Sequence, residues 1–592
     1  MLGHPEKEYT TNLSANYRKD IDGIRAIAIL SVILFHFGCL PNGYLGVDIF
    51  FVISGYLITK IIFKETLENR FSIIHFYIRR IRRIIPLVLF TTSIALIIGL
   101  IVMIPDDLEN LSQSVISTNF FANNILLYLT SGNYWNIVNE YKPLMHTWSL
   151  GIEEQYYLFY PLFFLIFQGK KIRYILPTLI FLTILSLLLY FINTNEAAKF
   201  YLIPFRFFEL SIGGIGAIYL KKFKNATRLK FVLLLGLISI LFFSIDLPDN
   251  IKLLLSILIT LCILLSESNN KTINYYILEN KLMVGIGKIS FSLYMWHQII
   301  LAFTRYFVLE RINSFQYILI FIATLILSVF SYYFIEQPFR KDKIIGTKKL
   351  LWIVCSVFLL TTSVSFYIYF KAGVIRDVPE LDLYTSNVQR NIHTKYNSRI
   401  YEFDKNFSKN KNIKVIVIGD SFARDWANIL LESKFKKEIE ISYISDIAKC
   451  NQLKERFREV KFIFISATII DMSQYNILVK NLNLNSANIW IIGTKNFGIN
   501  NGYFYNNRHN PDYFRQRTSM SDGYAEENEL MKKQWGVKYI DMIQKVIDKN
   551  GTVAIFTPNG KFISEDCRHL TRNGSIYYSQ LLESKLVSIF SN

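Results

Sequence analysis

The chain has 592 residues, a formal charge of +19 at neutral pH and a hydrophobic fraction of 52%, with 48 Phe. That length exceeds one hydrophobic core, and a mean hydropathy of +0.27 excludes a wholly soluble globular protein. The basic residues gather beside apolar runs, as at Arg79, Arg80, Arg82 and Arg83, so the charge reads as membrane orientation and excludes nucleic acid as the partner.

In chain order, polar residues continue to about Arg25 and no small-residue cleavage site follows the first apolar run, so the first helix is expected to stay in the protein. Apolar runs then predict about eleven spans, at 23–40, 45–64, 84–104, 146–168, 174–193, 201–220, 231–245, 250–266, 284–304, 315–335 and 350–370. Basic clusters at 79–83, 170–173, 221–230 and 340–349 fall in alternate loops, while Asp106, Asp107, Glu109, Asp246 and Asp249 fall in the opposite ones. The positive-inside rule therefore places the N-terminus in the cytoplasm and everything after about Gly373 outside it. Richness in Ile, Asn and Lys points to an AT-biased bacterial genome. The expected location is a bacterial cytoplasmic membrane, crossed many times, with a periplasmic C-terminal part. The long loop 105–145 is partly apolar and is expected to lie on the outer surface as an amphipathic segment.

The division expected is a membrane domain of about ten spans over 1–345, an additional transmembrane helix at 346–371, a polar linker or packed extension at 372–411, and a soluble domain over 412–592. In that last part IKVIVIG, KFIFISA, NIWIIG and TVAIF read as strands. Helices are expected from about Arg424, near 529–549 and from about Gly574. Short apolar strands alternating with helices predict an α/β domain around a parallel sheet. The five cysteines lack the paired spacing of a metal site, and no metal is expected; Cys450 and Cys567 are candidates for a disulfide in an oxidising exterior.

Chemistry is expected in two places. In DGIRAIAILSVILFHFG ten residues separate Arg25 from His36, and eleven steps of about 100° bring both side chains to one helix face, about 16 Å apart along the axis. Polar groups inside apolar sequence are costly and usually functional. An arginine near the cytoplasmic mouth with a histidine deeper in suits a site that receives an anionic ligand from inside. Glu153 and Glu154 lie in the fourth span, where a carboxylate needs a partner, and Glu153 is expected to orient His36 or to pair with an arginine such as Arg206. His146 stands at the outer end of that span, where an acceptor would approach, and His297 in SLYMWHQ reads as a structural hydrogen-bonder. In the soluble part, IKVIVIGDSFARDW places Gly419, Asp420 and Ser421 between a strand and a helix. The serine is thereby presented beside backbone N–H groups able to stabilise an oxyanion. In DCRHLTRNGS, Asp566 stands three residues before His569, close enough to hold an imidazole that takes the serine proton.

The Arg25–His36 spacing, GYLGVDIFFVISGYLIT, FYIRRIRRIIP, HTWSLGIEEQYYLFYP and SFSLYMWHQ together resemble the acyltransferase-3 family of membrane acyltransferases over about 340 residues. The resemblance implies acetyl-CoA as the acyl donor, His36 as the essential residue of acyl handling and Arg25 as a holder of the donor's anionic part. Arg79, Arg80, Arg82 and Arg83 are a cytoplasmic cluster suited to the phosphates. The soluble domain resembles the SGNH hydrolases, which implies Ser421 as nucleophile, His569 as base and Asp566 as its orienter. Gly419, Asp420 and Asn496, the last in GTKN, are the oxyanion candidates; no glycine stands in 442–453 to supply a further donor. The fusion is similar to two-domain O-antigen and peptidoglycan O-acetyltransferases. It implies transfer of acetyl from cytoplasmic acetyl-CoA to hydroxyls of a surface or lipid-linked glycan, whether O-antigen, lipopolysaccharide or another surface polysaccharide. Peptidoglycan as acceptor, an outer esterase acting alone, and an exporter of acylated glycan with an outer binding domain are the alternatives.

Overall fold

The computed structural model describes residues 17–130, 141–167, 173–220, 222–267, 273–309, 312–388, 392–466 and 472–591. Lys170, Lys171 and Lys221 of the basic clusters, and 131–140 of the long loop, lie outside these residues. The chain divides into two compact units, one of residues up to Ile101 with Asn110–Thr304 and Ile312–Tyr367, the other of Val102–Glu109, Arg305–Arg311 and Ile368–Asn592.

The first unit is helical. Among the described residues five helices are long and apolar enough to cross a membrane, at Gly43–Leu67, Ile73–Val102, Ile175–Ile192, Ser314–Arg340 and Thr347–Phe370. They turn large apolar side chains outward, such as Phe181 at 62% exposure and Trp352 at 76%, as a lipid-facing surface does. The other expected runs hold shorter or more polar helices, among them α1 (Lys19–His36), which carries both Arg25 and His36, and Phe207–Tyr219. The residues expected as a basic loop are helical: α2 (Ile73–Val102) starts eleven residues before the predicted span, so Arg79 to Arg83 sit in its early turns, with Pro86 inside the helix. Arginine and isoleucine carry the helix through a stretch that charge alone had marked as a loop. The expected span 284–304 is broken into α3 (Lys281–Lys288) and α4 (Ser290–Arg305), and the run near 315–335 ends in a π-helical turn at Tyr332–Glu336.

Small residues set the helix spacing. A Cβ on Gly55 would lie 1.8 Å from the carbonyl oxygen of Leu210, and one on Gly213 would lie 2.1 Å from that of Val52. The helices Gly46–Leu67 and Phe207–Tyr219 therefore touch backbone to backbone, as small-residue packing allows in a membrane.

The second unit holds a five-stranded parallel sheet of order β2-β1-β3-β4-β6, with β1 Ile413–Gly419, β2 Ile439–Ile444, β3 Phe462–Ser466, β4 Ile489–Ile492, β5 Arg517–Ser519 and β6 Tyr539–Ile540. Alternate β1 side chains face opposite layers: Val415 and Val417 pack with Trp426 and Tyr578, whereas Ile416 and Ile418 pack with Ile463 and Leu478. Both faces are covered, which is why the strands read as unbroken apolar runs. Three expectations change. β2 belongs to the sheet although IEISYI was not among the predicted strands. TVAIF supplies β7 (Thr552–Ala554), which pairs antiparallel with β5 outside the main sheet. The predicted helix 529–549 is Tyr524–Trp535, ended at Gly536 with φ +52°, after which β6 completes the parallel sheet. Segment 372–411 is a packed extension, with Arg399 bonded to Asn428 Oδ1 at 2.9 Å and Glu432 Oε1 at 2.8 Å.

Substituting Gly55 by Ala is expected to cost about 1–3 kcal/mol through overpacking and to lower the temperature at which the solubilised protein aggregates. Gly236→Ala, whose Cβ would meet only Ile259 at 3.9 Å, is expected to leave it unchanged. Equal behaviour of the two variants in a thermal-shift chromatography assay would contradict this packing.

Candidate functional site

In the helical unit a cavity of about 80 Å³ is lined by Arg25, Arg80, Arg83, Ser54, Glu153 and Tyr157, among others. One helix turn sets Asp22 3.6 Å from Arg25. Glu153 accepts hydrogen bonds from Ser54 and Tyr157. It therefore neither contacts Arg206 nor serves as that arginine's counter-ion. Arg206 instead bonds Asp48 Oδ1 at 3.0 Å and Glu209 Oε1 at 2.8 Å, a buried cluster that sequence spacing did not connect. The four clustered arginines also part company. Arg82 is buried and donates to Phe339 O at 3.0 Å and Ile345 O at 2.7 Å, which commits it to holding the turn after the π-helical segment. Arg79 is paired with Glu65 at 2.9 Å on the surface. Only Arg80 and Arg83 of the four line the cavity with Arg25.

A larger cavity of about 640 Å³ is lined by His36, His146, Asp48, Arg206, Trp148 and Tyr294, among others. Three imidazoles cluster at its edge, His36 with its ring centroid 5.3 Å from that of His297 and His146 5.2 Å from His297. His297 Nδ1 stands 2.6 Å from Tyr294 O, and since a carbonyl only accepts, Nδ1 carries the proton and Nε2 is left as an acceptor. His297 Nε2 and both nitrogens of His146 have no hydrogen-bond partner among the described residues, while the Nδ1 bond to Tyr294 O is the structural bond expected of His297. Tyr294, whose hydroxyl stands 2.5 Å from both Ser149 Oγ and the His146 carbonyl oxygen, lines both cavities.

In the second unit Ser421 begins the helix α5 (Ser421–Glu432) at the carboxyl end of β1. β1 lies between β2 and β3, so the serine stands where the strand order reverses, the usual ligand position of an open α/β sheet. The turn needs glycine at 419: φ is +132° and a Cβ there would lie 1.7 Å from Ser466 O. Asp420 caps α5 by accepting from Phe422 N at 2.9 Å, and Tyr443 donates its hydroxyl to the carbonyls of Gly419 at 2.8 Å and Asp420 at 3.0 Å. Ser421 Oγ lies 2.9 Å from His569 Nε2, and His569 Nδ1 lies 2.5 Å from Asp566 Oδ2. Asp566 Oδ1 also accepts from the backbone N–H of His569 at 2.7 Å and Arg568 at 2.9 Å. Burial pushes the Asp566 carboxyl up, but the neighbouring His569 and these N–H bonds outweigh it and hold the group below the ordinary carboxylate range. The sequence order Asp-x-x-His thus closes one turn in which carboxylate, imidazole and serine are joined by successive hydrogen bonds.

Two further features were not legible beforehand. Asp425, one turn into α5 and 1% exposed, accepts from Lys495 Nζ at 2.7 Å and from Leu570 N at 3.0 Å. This buried pair ties the nucleophile helix, the GTKN segment and the loop of His569 together. Asn496 is held by two bonds to its Oδ1, from Gly498 N at 2.9 Å and Ser521 N at 2.8 Å, which fixes the direction of its amide. The expected disulfide is absent: Cys450 and Cys567 are both free thiols. Cys450 packs in the layer of Ile444 and Ile463, while Cys567, at φ +66°, points its sulfur at Asn501 Oδ1, 3.4 Å away.

Residues 18–333 match the acyltransferase-3 family, described as an acyltransferase domain. The O-acetyltransferase OatA of Staphylococcus aureus (strain NCTC 8325 / PS 47) is 33% identical over 352 residues, which cover 55% of this chain and 58% of that one. A provisionally named O-acetyltransferase of S. aureus (strain MSSA476) is 32% identical over 377 residues, 58% of this chain and 60% of the relative. The match therefore spans about three fifths of the length of these relatives. No solved structure matches the chain.

Beside the triad loop, burial pushes the Glu565 carboxyl up to about 8 and that of Asp107 up to about 7. A carboxyl raised above its unfolded value binds its proton more tightly in the folded state, so the stability it contributes is present at low pH and is lost as pH rises through the folded value. The second unit is therefore expected to lose stability between the ordinary carboxylate range and about pH 8, and Glu565→Gln to flatten that loss. Proteolysis of the intact protein across this range checks it; a Glu565→Gln profile identical to wild type would contradict it.

Proposed function

Because residues 18–333 make this chain a member of the acyltransferase-3 family, we propose that it is an O-acetyltransferase carrying acetyl groups from cytoplasmic acetyl-CoA to hydroxyls of a cell-surface glycan. In this reading the N-terminus is cytoplasmic, the helical unit lies in the bacterial cytoplasmic membrane, and the α/β unit is an SGNH-like domain outside it. Arg25, Arg80 and Arg83 receive the anionic donor, whose thioester reaches His36, where an imidazole nitrogen bonds the acetyl carbonyl carbon as the carbon–sulfur bond breaks and coenzyme A leaves as its thiol with the imidazole's proton. Guanidinium groups suit a donor with several phosphate oxygens.

The observation that carries the outer step is the Ser421–His569–Asp566 arrangement, with Oγ to Nε2 at 2.9 Å. His569 Nε2 takes the Ser421 proton as Oγ bonds the acetyl carbonyl carbon and that carbon's bond to the imidazole carrier breaks, the carrier nitrogen regaining a proton, and Asp566 stabilises the His569 imidazolium meanwhile. A glycan hydroxyl then attacks the acetyl-serine. Its proton passes through His569 to Ser421 Oγ, which leaves as the ester bond to the sugar forms. Backbone N–H groups at the start of α5 and the amide of Asn496 are the oxyanion donors of this scheme. O-antigen, lipopolysaccharide or another surface polysaccharide is the acceptor class, and the OatA name of the relatives supports O-acetylation as the reaction.

Proton NMR of glycans isolated from cells with wild type, His36→Ala, Ser421→Ala or no copy tests this. The expected outcome is loss of the acetyl signal in both point variants at normal protein levels, with the glycan that loses it identified as the acceptor. Increased acetylation in Ser421→Ala would make the outer unit an esterase, and unchanged acetylation in both would overturn the proposal.

A further inference from the structure

A third cavity, of about 530 Å³, lies in the helical unit between α3 and the π-helical turn Tyr332–Glu336, and its lining includes Gly285, Lys288, Tyr332, Tyr333, Gln337 and Lys341. Both lysines are exposed, and Lys288 Nζ lies 5.8 Å from the centre of the Tyr17 ring. Two exposed ammonium groups beside two phenol rings and a carboxamide are the chemistry of a phosphorylated aromatic ligand: point charges for phosphate oxygens, flat faces for a base.

The cavity adjoins the arginine-lined one along the chain and in space. Lys288 and Ile289 line the first, and the next two residues, Ser290 and Phe291, line the second. Gly287 packs so tightly on α1 that a Cβ would lie 1.9 Å from Asp22 O, and Asp22 is the ion-pair partner of Arg25. The arginine-lined space, at about 80 Å³, is narrow beside its neighbour of about 530 Å³. A thin acyl-bearing arm fits the one and a bulky nucleotide the other. The π-helical turn widens the helix where Tyr332 and Tyr333 face this space. It is held by the buried Glu336, which accepts from Ser292 and from Arg340 Nη2 at 2.6 Å. Such turns cost a regular hydrogen-bond ladder and are found mostly at functional positions.

We propose that this cavity binds the adenosine 3′-phosphate end of the acyl-CoA donor while Arg25, Arg80 and Arg83, on the narrower space, take the pyrophosphate from which its acyl-bearing arm extends; this rests on the acyl-CoA reading above. The shared chemistry, a phosphate oxygen on lysine, also belongs to an anionic lipid headgroup, so the test separates the two.

The full chain in nanodiscs without anionic lipid is titrated with adenosine 3′,5′-bisphosphate, and in parallel acetyl release is followed with acetyl-CoA and with acetyl-pantetheine, which lacks the nucleotide. For the double variant Lys288→Ala, Lys341→Ala, binding of the bisphosphate is expected to weaken about tenfold or more, and KM for acetyl-CoA to rise in step with kcat unchanged. Acetyl-pantetheine is expected not to distinguish variant from wild type. No binding of the bisphosphate to wild type, or an equal KM rise with acetyl-pantetheine, would overturn the proposal. So would a defect that appears only in discs containing phosphatidylglycerol and is the same for both donors, since the site would then be for lipid. Bisphosphate binding without turnover of any acetyl donor would instead sink the acetyltransferase reading and leave the nucleotide site standing.

Discussion

A charged group in a helical bundle surrounded by hydrocarbon has to find a partner inside the protein, and that requirement fixes how this helical unit packs. Arg206 meets Asp48 and Glu209 from two other positions in the fold. Asp20 takes Arg18 and Lys230 at 2.7 Å each, and Arg82 is spent on carbonyls of the 339–347 turn. The Arg206–Asp48, Lys230–Asp20 and Arg82 bonds join segments distant in sequence, while glycines such as Gly55 and Gly213 let the helices approach closely. Removing one partner leaves a buried charge uncompensated, which is far costlier than losing an exposed pair.

The polar groups left over from this pairing are the informative ones. His146 and the Nε2 of His297 remain unpartnered beside His36, and Arg80 and Arg83 face a cavity with Arg25. The α/β unit follows the same logic on a smaller scale. Asp425 and Lys495 neutralise one another in its core and so pin three segments whose relative placement decides whether Ser421 and His569 are in bonding distance. In both units structural charges are paired and the groups suited to acyl transfer are held by them.

How much of this was legible depends on how local each signal is. Arg25 and His36 lie on one helix, and a period of 3.6 suffices to place them on one face. Ser421 could be placed because strand, turn and helix are contiguous in IKVIVIGDSFARDW, and Asp566 with His569 because three residues make one turn. Partner choice across the fold was not legible. Nothing in the sequence links Arg206 to Asp48, 158 positions away, or Lys495 to Asp425, and the bond from Ser54 to Glu153, 99 positions apart, was hidden for the same reason. The strand at 539–540 was hidden because a short strand at a sheet edge carries too few residues to outweigh the helical pattern before it. The break at Ile289 and the π-helical turn at 332–336 have no composition signal; they are set by what packs against them.

In the proposed relay, acetyl taken from coenzyme A in the helical unit comes to rest on Ser421 before it reaches the glycan. The most direct measurement supplies carbon-13 acetyl-CoA to the cytoplasmic face of inside-out membrane vesicles lacking glycan acceptor, then weighs the peptide that contains Ser421. A labelled acetyl ester on Ser421 is expected, absent in His36→Ala and absent in His569→Ala, which lacks the base that takes the serine proton. Labelled glycan produced on restoring acceptor to Ser421→Ala vesicles, at the wild-type rate, would contradict it.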